Sequence, residues 1–351
     1  MATVNKNIPK KRAIRKSTAR VVKVSAQKAF RTYNQALKYL FEKTDYERGL
    51  KLRYNVTTFN LDRMRHLLEL VGDPHLKIET VHIAGTKGKG STCTMLAKML
   101  EANGYKVGLY TSPHIVNLHE RICVNGTMIT QSEMTGLINR IYGAAEEVSK
   151  TEAPTFFEMM TALAFMHFHD KQVDIAVIET GLGGRLDSTN VIQPKVVGMT
   201  SISMDHMQQL GDTLDKIAGE EAGIFKRGVP AVTVEQDPKV MKVLKSHAAQ
   251  KSAPLSVTGQ DIDFSYRFEF SKEHGPHNRI CISTDTSKFE HLRVPLPGEH
   301  QAINCGLAIA MLDKLKRAGY EIDDQKAIDG LYAVRLEGRM ERICEDPRII
   351  V

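Results

Sequence analysis

Three glycines, two lysines and a serine are concentrated in Gly85-Thr86-Lys87-Gly88-Lys89-Gly90-Ser91. This composition suits an anion. Glycines let backbone N–H groups approach phosphate oxygens, and a lysine reaches the terminal phosphates. The spacing departs from the usual phosphate-loop pattern, because Ile83 stands five residues before Gly88 and Gly90 separates Lys89 from the Ser91 hydroxyl. A plain glycine-rich turn between strand and helix would have the same composition. Further along, Ser112, Glu179 and the pair Asp205-His206 supply oxygen and nitrogen donors. Ser and Glu suit a magnesium nucleotide, since magnesium prefers oxygen ligands and takes few protein groups; a His is a less usual addition. Each also has a plain reading: Ser112 as a turn former before Pro113, Glu179 as a strand-end charge, His206 as a loop histidine. Gly181, Gly183 and Gly184 follow Glu179 and would allow backbone close to the same phosphates.

The elements that must position these residues alternate. Residues 78–84 read as a strand, and Met95, Leu96, Met99 and Leu100 mark a helix stopping at Asn103-Gly104. Strands follow at 106–110, 173–179 and 196–202. Helices are predicted from Ala26 to Phe41 and over 60–71, 131–148, 156–168, 213–224, 302–319 and 325–334. Ser112, Glu179 and His206 therefore all follow strand ends, where ligands bind in open α/β sheets. Phe264, Tyr266, Phe268 and Phe270 alternate strictly and, with Ile280 and Ile282, predict a small antiparallel meander. The fold class is α/β: a doubly wound, mainly parallel sheet with a phosphate loop and that meander. His167 and His169 are two apart on a helix and face different ways; Met159, Met160 and Met166 read as core.

The 351 residues suit one large or two smaller domains, and 42% apolar with 25% charged content is that of an ordinary globular chain. The net charge of +7 is local. Eight of the 48 basic residues lie within residues 1–24, which hold no acid, so the remainder carries −1. A general nucleic-acid surface is therefore not expected, and no apolar run reaches membrane-spanning length. Five dispersed cysteines without a Cys-x-x-Cys pair argue for a reducing compartment and against a zinc site. A cytoplasmic monomer is expected. The basic tail over 1–25 reads as a solvated extension, with an organelle transit peptide or an electrostatic tether as alternatives.

Gly85 to Ser91, Thr111-Ser112-Pro113-His114, Glu179 to Asn190, Asp205-His206 and Glu220-Glu221-Ala222-Gly223-Ile224 occur in an order that resembles the folylpolyglutamate synthase and dihydrofolate synthase family of the Mur ligase superfamily. Phe157-Glu158 with Thr161-Ala162, His300-Gln301 with Asn304, and Gly338-Arg339 also match. The likeness runs from about Tyr33 to the last residue. It implies a Mur-ligase-like central domain, ATP and magnesium as cofactors, and folate or dihydropteroate with L-glutamate as substrates. Gly85, Thr86, Lys87, Gly88, Lys89, Gly90 and Ser91 would hold ATP, with Asn304 reading adenine and Arg339 contacting phosphate. Ser91, Ser112, Glu179 and His206 would hold the metal; Lys89, Glu179, His206 and Glu221 would stand nearest the chemistry. A substrate carboxylate would attack the γ-phosphorus, and the amine of glutamate would displace phosphate from the acyl phosphate.

Three departures from the family pattern matter. Lys87 replaces the usual asparagine and adds a positive charge. Glu221 stands where the family commonly has a lysine that is carboxylated and helps bind magnesium. It is either a built-in stand-in for that carbamate or an ordinary exposed helix glutamate. Finally, the family continues into a C-terminal domain, so 26–341 would be the ATP-binding domain and 342–351 the start of the link to it. A nucleotide-binding module without turnover is the alternative reading. A cell-wall Mur ligase fits less well, because Ala26 to Val71 is too short for a UDP-binding domain.

Overall fold

The core strand β1 (Thr80–Ala84) is buried along its whole length, so it must lie between two layers. The computed structural model describes residues 29–43, 61–272, 275–336, 338, 342–345 and 348–350; the basic tail, Arg339 and Glu341 lie outside the described residues. In chain order the elements are α1 (Tyr33–Phe41), α2 (Leu61–Leu70), β1, α3 (Lys89–Ala102), β2 (Val107–Tyr110), β3 (Ile122–Val124), β4 (Thr127–Met128), α4 (Gln131–Ser149) and α5 (Phe156–Asp170). Then come β5 (Ile175–Glu179), β6 (Val196–Met199), α6 (Met207–Leu210), α7 (Leu214–Glu221), β7 (Ala231–Thr233), α8 (Pro238–Gln250) and β8 (Leu255–Val257). The last are β9 (Asp263–Ser271), β10 (Gly275–Ser283), β11 (Lys288–Arg293), α9 (Glu299–Arg317), α10 (Asp324–Tyr332), β12 (Arg342–Glu345) and β13 (Arg348–Ile350).

The main sheet has eight strands in the order β4-β3-β2-β5-β1-β6-β7-β8. β2, β5, β1, β6, β7 and β8 are parallel, and β3 and β4 add an antiparallel edge. Ile83 pairs with Glu179 and Ala84 with Met199, so the ends of β1, β5 and β6 are level. Val81 and Ile83 face a core shared with α3, α9 and α10. The opposite face is covered by α1, α2, α4 and α5 on one side and by α7 and α8 on the other. This is the doubly wound arrangement expected from the alternation.

Local signals explain the boundaries. Thr155 and Glu158 form a capping box for α5, as Thr130 and Glu133 do for α4. α3 ends where expected, with Gly104 left-handed and Tyr105 N–H returning to the Leu100 carbonyl at 3.3 Å. β6 ends three residues earlier than predicted. Residues Thr200 to Ser203 leave the sheet, held by Gln236, which donates to the Thr200 carbonyl and accepts from Ile202 N–H. α1 starts at Tyr33, capped by Thr32; residues 29–32 are not helical, and the start of the expected helix at Ala26 lies outside the described residues. Met159, Met160, Met166 and His167 are buried in α5. The meander forms as predicted, in the order β11-β10-β9, but its outer half stands clear of the body, with Phe268 and Phe270 more than 70% exposed. Among the described residues no helix is long and apolar enough to cross a membrane.

Under α5 lies a buried ion pair. Arg63 of α2 donates from Nε to both Glu158 oxygens (3.0 and 2.9 Å), and its Nη1 is 2.6 Å from Glu152. Both side chains of the Arg63–Glu158 pair are about 95% buried. Removing one member leaves an unpaired charge in the core. Arg63→Ala is therefore expected to cost about 3–5 kcal/mol in urea unfolding, and a loss below about 1 kcal/mol would contradict this account.

Candidate functional site

The turn from β1 into α3 is pinned at its first three N–H groups. Gly85 N–H donates to Glu221 Oε2 at 3.0 Å, while Thr86 and Lys87 N–H both donate to the Ser201 carbonyl at 3.0 and 3.2 Å. The Thr86 hydroxyl donates to the Ser203 carbonyl and accepts from Ser203 N–H. The next N–H groups are in a different position. α3 begins at Lys89 with Gly88 as its N-cap and no side-chain cap. The N–H groups of Lys89, Gly90 and Ser91 thus have no partner within the helix, and the helix adds partial positive charge there. Gly88 has φ +92°, and a Cβ on it would lie 2.2 Å from Asn304 Oδ1. Asn304, on α9, is buried, and its amide donates to Gln301 Oε1 at 3.1 Å. It therefore packs directly against the loop.

Glu179 ends β5 with its side chain buried. Its Oε2 accepts from Ser112 N–H at 3.1 Å and lies 3.4 Å from where a Cβ on Gly90 would stand. Ser112, Glu179 and Gly90 are thus gathered beside the first turn of α3, and Ser91 is buried in that turn. His206 sits after β6 but is exposed at the start of α6, with φ +46°. Its N–H bonds to its neighbour Asp205, and among the described residues its ring has no hydrogen-bond partner. No group of three His, Cys, Asp or Glu side chains that could hold a metal ion occurs among the described residues. Magnesium asks for less, since it takes a few oxygen ligands and completes its shell with phosphate and water. The buried Glu179 carboxylate and Ser112 beside the loop fit that chemistry. Lys89 Nζ donates to the Gly85 carbonyl at 2.7 Å.

Glu221 is not an exposed helix glutamate. At the end of α7 it is 2% exposed, and burial pushes its carboxyl up to about 7, against the pull of Lys89 and of Gly85 N–H. The neighbouring carboxylates Asp187 and Glu220 add to the rise.

Sequence reasoning left the brace behind Glu179 undescribed. Asp187 accepts from Gly181, Leu182 and Thr189 N–H at 2.9, 3.1 and 3.0 Å, closing the glycine loop on itself. The Thr189 hydroxyl reaches Asp187 and lies 2.8 Å from His82 Nε2 in the middle of β1. Arg185 clasps Glu220 with two bonds, and Asn190 donates to the carbonyls of Arg185 and Gly223. The loop after β5 and the end of α7 therefore form one hydrogen-bonded unit. An Asp two residues before a Thr, in a glycine-rich run, is the signal for such a local clamp.

Residues 83–312 match the Mur ligase middle domain. The dihydrofolate synthase/folylpolyglutamate synthase of Bacillus subtilis is 38% identical over 304 residues, covering 85% of this chain and 69% of that protein. The apo form of the L. casei folylpolyglutamate synthase superposes with a TM-score of 0.82 at 32% identity, covering 91% of this chain and 76% of that one. The Mycobacterium tuberculosis folylpolyglutamate synthase complexed with ADP gives 0.81 at 31% identity, covering 91% and 69%. The fold is that of a Mur-type ligase domain. Within that class, the chain belongs to the folylpolyglutamate synthase/dihydrofolate synthase family.

Two outcomes are expected from this geometry. Gly88→Ala forces a side chain into a left-handed conformation against Asn304 and costs about 1–3 kcal/mol; unfolding indistinguishable from the parent would contradict the packing. The second concerns pH. The carboxyl of Glu221 is raised in the folded state from 4.5 to about 7, so folding takes up a proton between those values. Its contribution to stability is then lost as pH rises through that window, whereas a glutamine does not titrate. Measured by denaturant at each pH, Glu221→Gln should gain on the parent by up to about 3 kcal/mol from pH 4.5 to 7 and then level off. A difference independent of pH would refute this.

Proposed function

We propose that the chain carries out ATP-dependent amide-bond formation between the carboxylate of a folate or dihydropteroate and the amine of L-glutamate. One observation carries the reading. The loop's first three N–H groups are consumed internally, while Gly88 and the first turn of α3 present theirs beside Lys89 and the buried Glu179. That arrangement suits a polyphosphate and its metal. Family membership supports it further. An AMPPCP–folate complex is known for a structural relative of 32% identity, and the Bacillus subtilis relative is named for both synthase activities.

In this reading the N–H groups of Gly88, Lys89, Gly90 and Ser91 cradle the phosphates, and Lys89 exchanges the Gly85 carbonyl for phosphate oxygen. The backbone N–H groups of Gly85, Thr86 and Lys87 shape the loop rather than donate to the ligand. Asn304 packs on Gly88, where it can place the base. Ser112 and Glu179 would hold magnesium, with Ser91 a further hydroxyl contact. Magnesium, when bound, neutralises charge on the phosphate oxygens. His206 belongs to this ligand set through the resemblance alone. The chain's part in the reaction is to align the carboxylate with the γ-phosphorus and stabilise charge as the acyl phosphate forms, before glutamate displaces phosphate.

The test is ADP release with ATP, magnesium and dihydropteroate or tetrahydrofolate, with and without glutamate. Glutamate-dependent release is expected, and Lys89→Ala should lower it about 10²–10³-fold. Nucleotide binding without any such release would reduce the chain to a nucleotide-binding module.

A further inference from the structure

Both polar backbone atoms of Gly85 are held by ionisable side chains, one acidic and one basic. Its N–H donates to Glu221 Oε2, and its carbonyl accepts from Lys89 Nζ. Glu221 arrives from the end of α7, 136 residues along the chain, and is fully enclosed. A lone carboxylate in such a place is costly. Lys89 acts on Glu221 as a charge of opposite sign, whereas Asp187 and Glu220 share its own. Gly85 itself has little freedom. Its φ is +127°, and a Cβ there would lie 2.2 Å from Thr200 Oγ1.

We infer that Glu221 is a positioning residue that acts through Gly85: it locks the mouth of the loop by its bond to the Gly85 N–H and, with the Gly85 carbonyl, holds Lys89 in readiness until a phosphate replaces that carbonyl as the lysine's partner. With its N–H taken by Glu221, Gly85 does not turn toward the phosphates, so the cradle begins at Gly88. Without the carboxylate, a buried N–H is left unpaired and the peptide loses its anchor. This role is distinct from holding a metal. The consequence for nucleotide rests on the reading of residues 85–91 as a phosphate loop, while the anchoring of Gly85 does not.

Two measurements on the full chain separate these points. The first is amide hydrogen exchange at Gly85, with Val81 and Ile83 of β1 as internal controls for folding. Exchange at Gly85 should accelerate at least about tenfold in Glu221→Ala while β1 stays protected. In Glu221→Gln, whose amide oxygen still accepts, it should remain near the parent rate. The second is calorimetric binding of AMPPCP in EDTA and again in magnesium. Glu221→Ala should weaken binding at least about tenfold in both, and Glu221→Gln should stay within about threefold of the parent. Unchanged exchange at Gly85 in Glu221→Ala overturns the inference. So does a loss of binding in both variants that appears only with magnesium, which would place the carboxylate on the metal. A parent chain that binds no AMPPCP would refute the nucleotide reading instead, and the exchange rates would still decide the anchoring.

Discussion

The burial of β1 on both faces is the constraint from which the rest follows. A strand with no exposed residue between two helical layers can offer chemistry only beyond its end. Its neighbours β5 and β6 end level with it, which sets Glu179, Thr200 and the glycine turn on one line. The polar backbone of that turn then needs partners in a largely dry setting. Ser201 and Ser203 supply some, and Glu221 supplies another. The open N–H groups left at the start of α3 are thus a remainder, defined by where the other partners have already been spent.

Much of this was legible in the residues. The glycine-rich turn lay between a β-branched strand and an amphipathic helix; periodicity placed α3, α4, α5, α9 and the meander, and Asn103-Gly104 marked the end of α3. The parts that were not legible have physical reasons. β7 and β8 have three residues each, too few for alternation to register, although Asp237-Pro238 does cap α8. β3 and β4 are held by the edge of β2 rather than by a pattern of their own. The aromatic alternation of β9 was read as strand correctly, yet alternation cannot say whether anything covers the apolar face.

At the site, the residue types were visible and their partners were not. Glu221 looked equally like a surface glutamate because helix position alone does not report burial. Its enclosure comes from the close approach of the Glu220 to Gly223 segment to the glycine loop at Gly184 and Arg185. The brace at Asp187 likewise needs three dimensions, since His82 and Thr189 are 107 residues apart. Family resemblance supplied the ligand set, and geometry assembled Ser112, Glu179, Gly90 and Asn304 from it. The ring of His206 stays exposed and unpartnered among the described residues.

The meander has a different consequence. β9 is an edge strand of nine residues, and its outer half carries Phe268 and Phe270 in water. Edges of this kind invite strand-to-strand zippering between molecules. On the opposite face Glu269 bridges Arg267 and Arg279, and that salt-bridged strip must shed water before another strand can lie flat along it. The same hairpin thus sets an exposed aromatic face against a charged one, an arrangement in which charge opposes strand-to-strand association and salt weakens that opposition.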